Sequence, residues 1–188
     1  MNWTQLPNII TSIRLILLIP LSICLLNENY EASLIIFFIA GFSDALDGYL
    51  AKKYNWISRF GSILDPIADK ALLVITMLIL TVNNQFSWLF LITVAVRDIY
   101  IVSGAYFYYK NIGPFNMEPS YLSKFNTLMQ ILTVTSLLVS LSYFPIPIEF
   151  IDALVMLVYF TIISSTVHYS WVWIGRYSSA KKAKEKTQ

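Results

Sequence analysis

Asp44-Ala45-Leu46-Asp47-Gly48-Tyr49-Leu50-Ala51-Lys52 and, after a gap of eight residues, Gly61-Ser62-Ile63-Leu64-Asp65-Pro66-Ile67-Ala68-Asp69 set four aspartates inside two apolar stretches. A carboxylate at bilayer depth costs several kcal/mol unless it is paired or solvated, so by default it marks a functional site. Hard oxygen donors suit Mg²⁺, Mn²⁺ or Ca²⁺, which makes a divalent cation the expected partner. The two stretches therefore read as a metal site inside a membrane-embedded, all-helical chain.

The rest of the sequence supports a lipid environment. Of 188 residues, 57% are hydrophobic and 13% charged, against about 25% charged in soluble domains; mean hydropathy is +0.64. Aromatic residues near the ends of apolar runs (Trp3, Tyr30, Trp88, Tyr108, Tyr109, Tyr143, Trp171, Trp173) fit interfacial belts. A net charge of +2 is too small to argue for nucleic acid. The single cysteine, Cys24, excludes an intrachain disulfide and a cysteine-based zinc cluster, and reads as a packed or lipid-facing residue. No cleavable signal or Arg-rich transit segment is expected before the first apolar run.

A helical span needs about 20 mostly apolar residues. Six stretches qualify: 8–27, 32–52, 61–82, 86–109, 121–142 and 148–174. Turn residues break them at Asn27-Glu28-Asn29, Asn83-Asn84-Gln85 and Pro145-Ile146-Pro147. Six spans put both termini on one side, together with Lys52, Lys53, Arg59, Lys110, Arg176, Lys181, Lys182, Lys184 and Lys186. The opposite connections hold Glu28, Glu31, Glu149 and Asp152 and no Lys or Arg. By the bias of basic residues toward the cytoplasm, both termini are expected there. The expected organisation is one membrane domain over 1–177 and a basic cytoplasmic tail over 178–188.

At 1.5 Å per residue, Asp44 falls ~12 Å below the cytoplasmic end of its span, Asp65 ~6 Å and Asp69 ~12 Å below theirs. Asp44 and Asp47 are i,i+3 and Asp65 and Asp69 are i,i+4, so each pair shares a helix face. Antiparallel neighbours joined by a short loop bring both pairs to one depth. Two metal ions there would offset the mutual repulsion of the acids and suit a phosphoryl substrate. The plainer alternatives are ion pairs of the aspartates with Arg14, Lys70, Arg97 or Lys124, and helix packing for the small residues Gly48, Ala51 and Gly61. An ion or solute transporter is a further alternative, but the acids cluster in one half of the chain without a counterpart in the other.

The pattern Asp-x2-Asp-Gly-x2-Ala-basic-x8-Gly-x3-Asp-x3-Asp, running from Asp44 to Asp69, resembles the signature of the CDP-alcohol phosphotransferases. Pro7-Asn8-Ile9-Ile10-Thr11-Ser12-Ile13-Arg14 is similar to that family's first-span pattern, and the likeness runs from Pro7 to about Tyr177. Lys52 stands where the family has Arg, which keeps the charge but loses the bidentate fork. The resemblance implies six helical spans, a homodimer, a divalent metal (Mg²⁺ or Mn²⁺, two ions), and displacement of CMP from CDP-diacylglycerol by an alcohol at the cytoplasmic face of a bacterial inner membrane. It implies Asp44, Asp47, Asp65 and Asp69 as metal ligands, with Asp69 also the catalytic base. Asn8, Thr11, Gly48, Ala51, Lys52, Gly61 and Ser62 are then expected around the CDP group.

Arg97 lies inside the fourth span and Lys124 in the first turns of the fifth, and both are candidates for a phosphate on the acceptor. Each also has a plainer reading: Arg97 as the ion-pair partner of Asp98, Lys124 as a snorkelling side chain. Val96-Arg97-Asp98 and Leu122-Ser123-Lys124-Phe125-Asn126-Thr127 resemble CMP-forming cardiolipin synthases, whose acceptor is phosphatidylglycerol. Phosphatidylglycerophosphate synthases, which use glycerol 3-phosphate, tend to have Arg-Glu and a Gly-Lys-x-Lys-Thr-like run there. His168, the only histidine, is expected to pack or hydrogen-bond at the interface rather than to catalyse.

Overall fold

The computed structural model describes residues 6–54, 61–112 and 120–185, with side chains described at 12–43, 67–107, 110, 120–173 and 175. Among these residues there are six α-helices and no strand. In chain order they are α1 (Leu6–Leu26), α2 (Tyr30–Tyr54), α3 (Gly61–Val82), α4 (Trp88–Ile112), α5 (Tyr121–Ser142) and α6 (Ile148–Glu185).

Their ends follow from local chemistry. α1 and α3 finish in the same cap, in which Asn29 N bonds Cys24 O at 2.8 Å and Gln85 N bonds Leu80 O at 2.8 Å. The residue that reverses the chain is left-handed in each, Glu28 at φ 57° and Asn84 at φ 59°. Such a cap commonly takes Gly or Asn, so Asn84 conforms and Glu28 does not. Asn29 then caps α2, its Oδ1 accepting from Ala32 N at 3.2 Å. Ser120 caps α5, its Oγ accepting from Ser123 N at 3.2 Å. The boundary expected at 177 falls inside α6, which continues to Glu185 because nothing after Gly175 breaks a helix.

Polarity is inverted relative to a water-soluble protein. Phe42, Val102, Met156, Phe160 and Trp171 are 69–77% exposed, whereas Arg14, Thr76, Asn126, Gln130, Thr133 and Ser165 are at most 1% exposed. Apolar outward faces fit a hydrocarbon surround, where buried polar groups must be satisfied inside the protein. Among the described residues, Trp88–Phe107, Tyr121–Ser142 and Ile148–Trp173 are long and apolar enough to cross a bilayer, and Ser12–Leu26 and Tyr30–Ser43 are shorter apolar helices.

The chain forms two compact units, residues 1–87 with 134–151, and residues 88–133 with 152–188. In the first, α1 packs against both α2 and α3, around Leu21, Leu25, Phe37, Ala40, Ala68, Leu72 and Met77. Asn83 Nδ2 donates to Leu25 O at 2.7 Å and joins the capped ends of α1 and α3. In the second, Phe90 meets Tyr159 edge-on at 5.7 Å, and Trp173 packs between Tyr100 at 5.4 Å and Tyr169 at 5.7 Å.

Candidate active site

The first unit carries the four aspartates. Helix α2 holds positions 44 and 47, and helix α3 holds positions 65 and 69. At i,i+3 and i,i+4, the two positions of each pair fall on one side of an α-helix. The side chains of Asp44, Asp47 and Asp65 lie outside the described residues, as do those of Asn8, Thr11, Gly48, Ala51, Lys52, Gly61 and Ser62.

Asp69 is described, and its partner is a residue that the sequence reading did not place in the site. Arg14 Nη1 on α1 donates to Asp69 Oδ1 at 2.5 Å. The arginine side chain is fully buried and the aspartate side chain is 44% exposed. One of the plainer alternatives is therefore realised at Asp69, which is ion-paired. The signal for Arg14 was the same as for the acids, a lone charge in an apolar run. What the sequence did not reveal was which of the buried charges Arg14 would meet.

The donor set suits a divalent cation. Carboxylate oxygens are hard ligands, and among the described side chains Asp69 is one such donor, its charge offset by Arg14 from α1. Asp69 is half-exposed, and the guanidinium bonded to it is fully buried. Among the described residues no three metal-binding side chains come together.

The second unit gathers a different polar centre. Arg97 on α4 is 5% exposed and makes three bonds. Nε donates to Ser165 Oγ on α6 at 3.3 Å, Nη2 to Ser123 Oγ on α5 at 2.8 Å, and Nη1 to Asp98 Oδ1 at 3.0 Å. Ser165 sends its own proton to Ile162 O at 3.1 Å, which leaves its oxygen free to accept. Tyr169 on α6 reaches the start of α5, its hydroxyl accepting from Ser120 N at 3.1 Å.

Lys124 is exposed and lies over the Tyr121 ring at 5.8 Å. It follows Ser123 on α5, the serine that accepts from Arg97. Below them Asn126 is fully buried, its Oδ1 accepting from Thr161 Oγ1 at 2.8 Å. His168 is exposed, stands edge-on to Tyr169 at 6.2 Å, and borders a groove of about 440 Å³ with Trp171, Val172 and Gly175. Nothing in these contacts gives it a catalytic partner among the described residues.

A family model described as CDP-alcohol phosphatidyltransferase matches residues 4–174. The CDP-diacylglycerol--glycerol-3-phosphate 3-phosphatidyltransferase of Aquifex aeolicus is 35% identical over 134 residues, 70% of this chain and 74% of that protein. The Bacillus subtilis protein of the same name is 32% identical over 187 residues, covering 90% of this chain and 95% of its own length. The cardiolipin synthase (CMP-forming) of Rattus norvegicus is 29% identical over 150 residues, 71% of this chain and 49% of that protein.

Proposed function

The chain belongs to the CDP-alcohol phosphatidyltransferase family, and on that premise we propose that it transfers the phosphatidyl group of CDP-diacylglycerol to phosphatidylglycerol, giving cardiolipin and CMP. It is a membrane-lipid transferase; the acceptor is the finer step. The observation that carries the catalytic part is Asp69, half-exposed on α3 and held from behind by the buried Arg14.

In this reading Asp44, Asp47, Asp65 and Asp69 hold divalent metal, Mg²⁺ or Mn²⁺, which supplies charge neutralisation at the donor pyrophosphate. Asn8, Thr11, Gly48, Ala51, Lys52, Gly61 and Ser62 surround the CDP group. Asp69 takes the proton of the acceptor hydroxyl. The freed oxygen attacks the phosphorus that bears the diacylglycerol, the bond from that phosphorus to the bridging oxygen breaks, and CMP leaves with the electron pair. Arg97 and Lys124 hold the phosphate of the acceptor. We further propose six membrane spans with both termini in the cytoplasm, a homodimer, and a site open to the cytoplasmic face of a bacterial inner membrane.

Glycerol 3-phosphate as acceptor is the second reading, and the Aquifex and Bacillus relatives named for it are more similar in identity than the rat cardiolipin synthase. The stretches Val96-Arg97-Asp98 and Leu122-Ser123-Lys124-Phe125-Asn126-Thr127 support the first. Purified protein in mixed micelles, given CDP-diacylglycerol, Mg²⁺ or Mn²⁺ and each acceptor in turn, tests both by CMP release. Exclusive use of glycerol 3-phosphate removes the cardiolipin reading, and no CMP with either acceptor removes both.

A further inference from the structure

We propose that Tyr169 is a positioning residue for the acceptor site: its hydroxyl fixes where α5 begins, and through that it holds Ser123 on the guanidinium of Arg97. This rests on the reading that Arg97 holds the phosphate of the acceptor. Tyr169 lies on α6 and is 8% exposed. It touches neither substrate in that reading and acts through its neighbours.

The chain of contacts is continuous. The Tyr169 hydroxyl accepts from Ser120 N at 3.1 Å. The N–H of a capping residue has no partner inside its own helix, and Tyr169 supplies one across the fold. Ser120 holds the first turn of α5 by two further groups. Its carbonyl accepts from Ser123 N at 3.0 Å and from Lys124 N at 3.1 Å, and its Oγ accepts from Ser123 N at 3.2 Å. Ser123 Oγ in turn accepts from Arg97 Nη2 at 2.8 Å. Ser120 is thus engaged through its N–H, its carbonyl and its hydroxyl, and it forms the corner that joins α6 to α5.

The Tyr169 ring is fixed independently of that hydrogen bond. Trp173, one turn further along α6, packs on Tyr169 at 5.7 Å and on Tyr100 of α4 at 5.4 Å. Gly104 lets the indole lie against α4, where a Cβ would run into the ring. Tyr100 and Ser170 share a hydrogen bond of 2.7 Å between the same two helices. The aromatic stack therefore ties α4 to α6, and the Tyr169 hydroxyl extends the tie to α5. Arg97, Ser165 and Ser123 form the next layer, about one turn from Tyr100, Tyr169 and Ser120 on their respective helices.

A guanidinium is oriented by the groups that accept from its five N–H donors. Without the Tyr169 hydroxyl the α5 corner loosens and Ser123 drifts from Nη2, while Ser165 on α6 and Asp98 on α4 keep their places on Nε and Nη1. Arg97 then turns more freely, and its fork grips a phosphate less well.

The test measures kcat and KM for the acceptor that wild type consumes, phosphatidylglycerol or glycerol 3-phosphate, and KM for CDP-diacylglycerol. The detergent-purified proteins are wild type, Tyr169→Phe, Ser123→Ala and the double variant, with thermal unfolding of the same samples. Tyr169→Phe keeps the stacked ring and removes the hydroxyl. It is expected to raise KM for the acceptor by about three- to tenfold, the effect of one ordinary hydrogen bond. Its kcat and its KM for CDP-diacylglycerol are expected to stay within about twofold of wild type. In the double variant the rise is expected to equal that of Ser123→Ala alone, because residues acting in series are not additive.

An acceptor KM that Tyr169→Phe leaves unchanged overturns the proposal, with or without a lower melting temperature. So does an equal rise in both KM values, which marks a general loosening, and so do additive rises in the double variant, which make Tyr169 independent of Ser123. Arg97→Gln separates this from the underlying reading. If it raises the acceptor KM while Tyr169→Phe does not, Tyr169 alone loses its role; if it leaves the acceptor KM unchanged, Arg97 does not hold the phosphate and both fall.

Discussion

Replacing Arg14 by methionine keeps an apolar stem of similar length and removes the guanidinium paired with Asp69. The charge centres of this pair lie roughly 4 Å apart, and at an effective dielectric of about 20 they attract by about 4 kcal/mol. The Asp69 side chain is 44% exposed, so solvent screening takes about half of that and leaves ~2 kcal/mol. If that energy holds Asp69 in its productive rotamer, its loss lowers kcat about thirtyfold. Arg14→Lys keeps the charge without the planar fork and falls in between, about three- to tenfold down.

The affinity for metal moves differently. If the four aspartates hold the metal as proposed, removing a positive charge leaves them more negative, so the Mn²⁺ concentration for half-maximal rate is expected not to rise. The assay is CMP release under saturating CDP-diacylglycerol across a Mn²⁺ titration, with thermal unfolding of the same detergent-purified samples. An Arg14→Met enzyme within twofold of wild-type kcat refutes the reasoning. So does a variant that melts earlier but turns over normally per folded molecule, which would make Arg14 a packing residue only.

Asp69→Asn is expected to abolish turnover while sparing much of the binding of CDP-diacylglycerol; CMP release and binding to the immobilised variant check the two halves separately. Gly104→Ala is expected to destabilise by about 1–3 kcal/mol, because a Cβ there would run into the Trp173 ring; a lower melting temperature that Trp173→Leu restores identifies the clash. Glu28→Gly relieves a left-handed non-glycine residue and is expected to raise the melting temperature by a few degrees, for about 1 kcal/mol. For Tyr143, beyond the end of the α5 span, the hydrogen bond to Glu31 at 3.0 Å holds the phenol above its ordinary pKa of 10.0. A raised folded-state pKa contributes stability that is present below about pH 10 and lost as pH climbs through the folded value. Tyr143→Phe is therefore expected to leave the pH–activity profile from about pH 6 to 9 unchanged.

Much of the helix layout was legible in the sequence because its signals are local. Apolar runs of about 20 residues, and the breaks at Asn27-Glu28-Asn29 and Asn83-Asn84-Gln85, coincide with helices and caps within a few residues. The end of α6 was not legible. Hydropathy falls after Trp173, yet a helix does not stop when its residues turn polar, and Ser, Ala, Lys and Glu carry it on to Glu185. The division into two units was also hidden, since it cuts α5 between Thr133 and Val134, inside an uninterrupted apolar stretch.

For the candidate site, sequence identified the expensive groups but not their partners. Buried hydroxyls such as Thr76, Thr81 and Thr133 satisfy themselves, each donating at 2.7 Å to the carbonyl four residues back, and so they need nothing from another helix. A buried guanidinium has no such local remedy. It must find oxygen across the fold, and Arg14 finds it 55 positions away at Asp69, whereas Arg97 draws on Ser123 and Ser165 as well as its neighbour Asp98. These two arginines are thus where the helices of each unit are tied by charge rather than by apolar packing. On the proposed reading, a substrate phosphate that approaches Arg97 competes with bonds that already exist, and Asp69 acts in the geometry that Arg14 imposes on it.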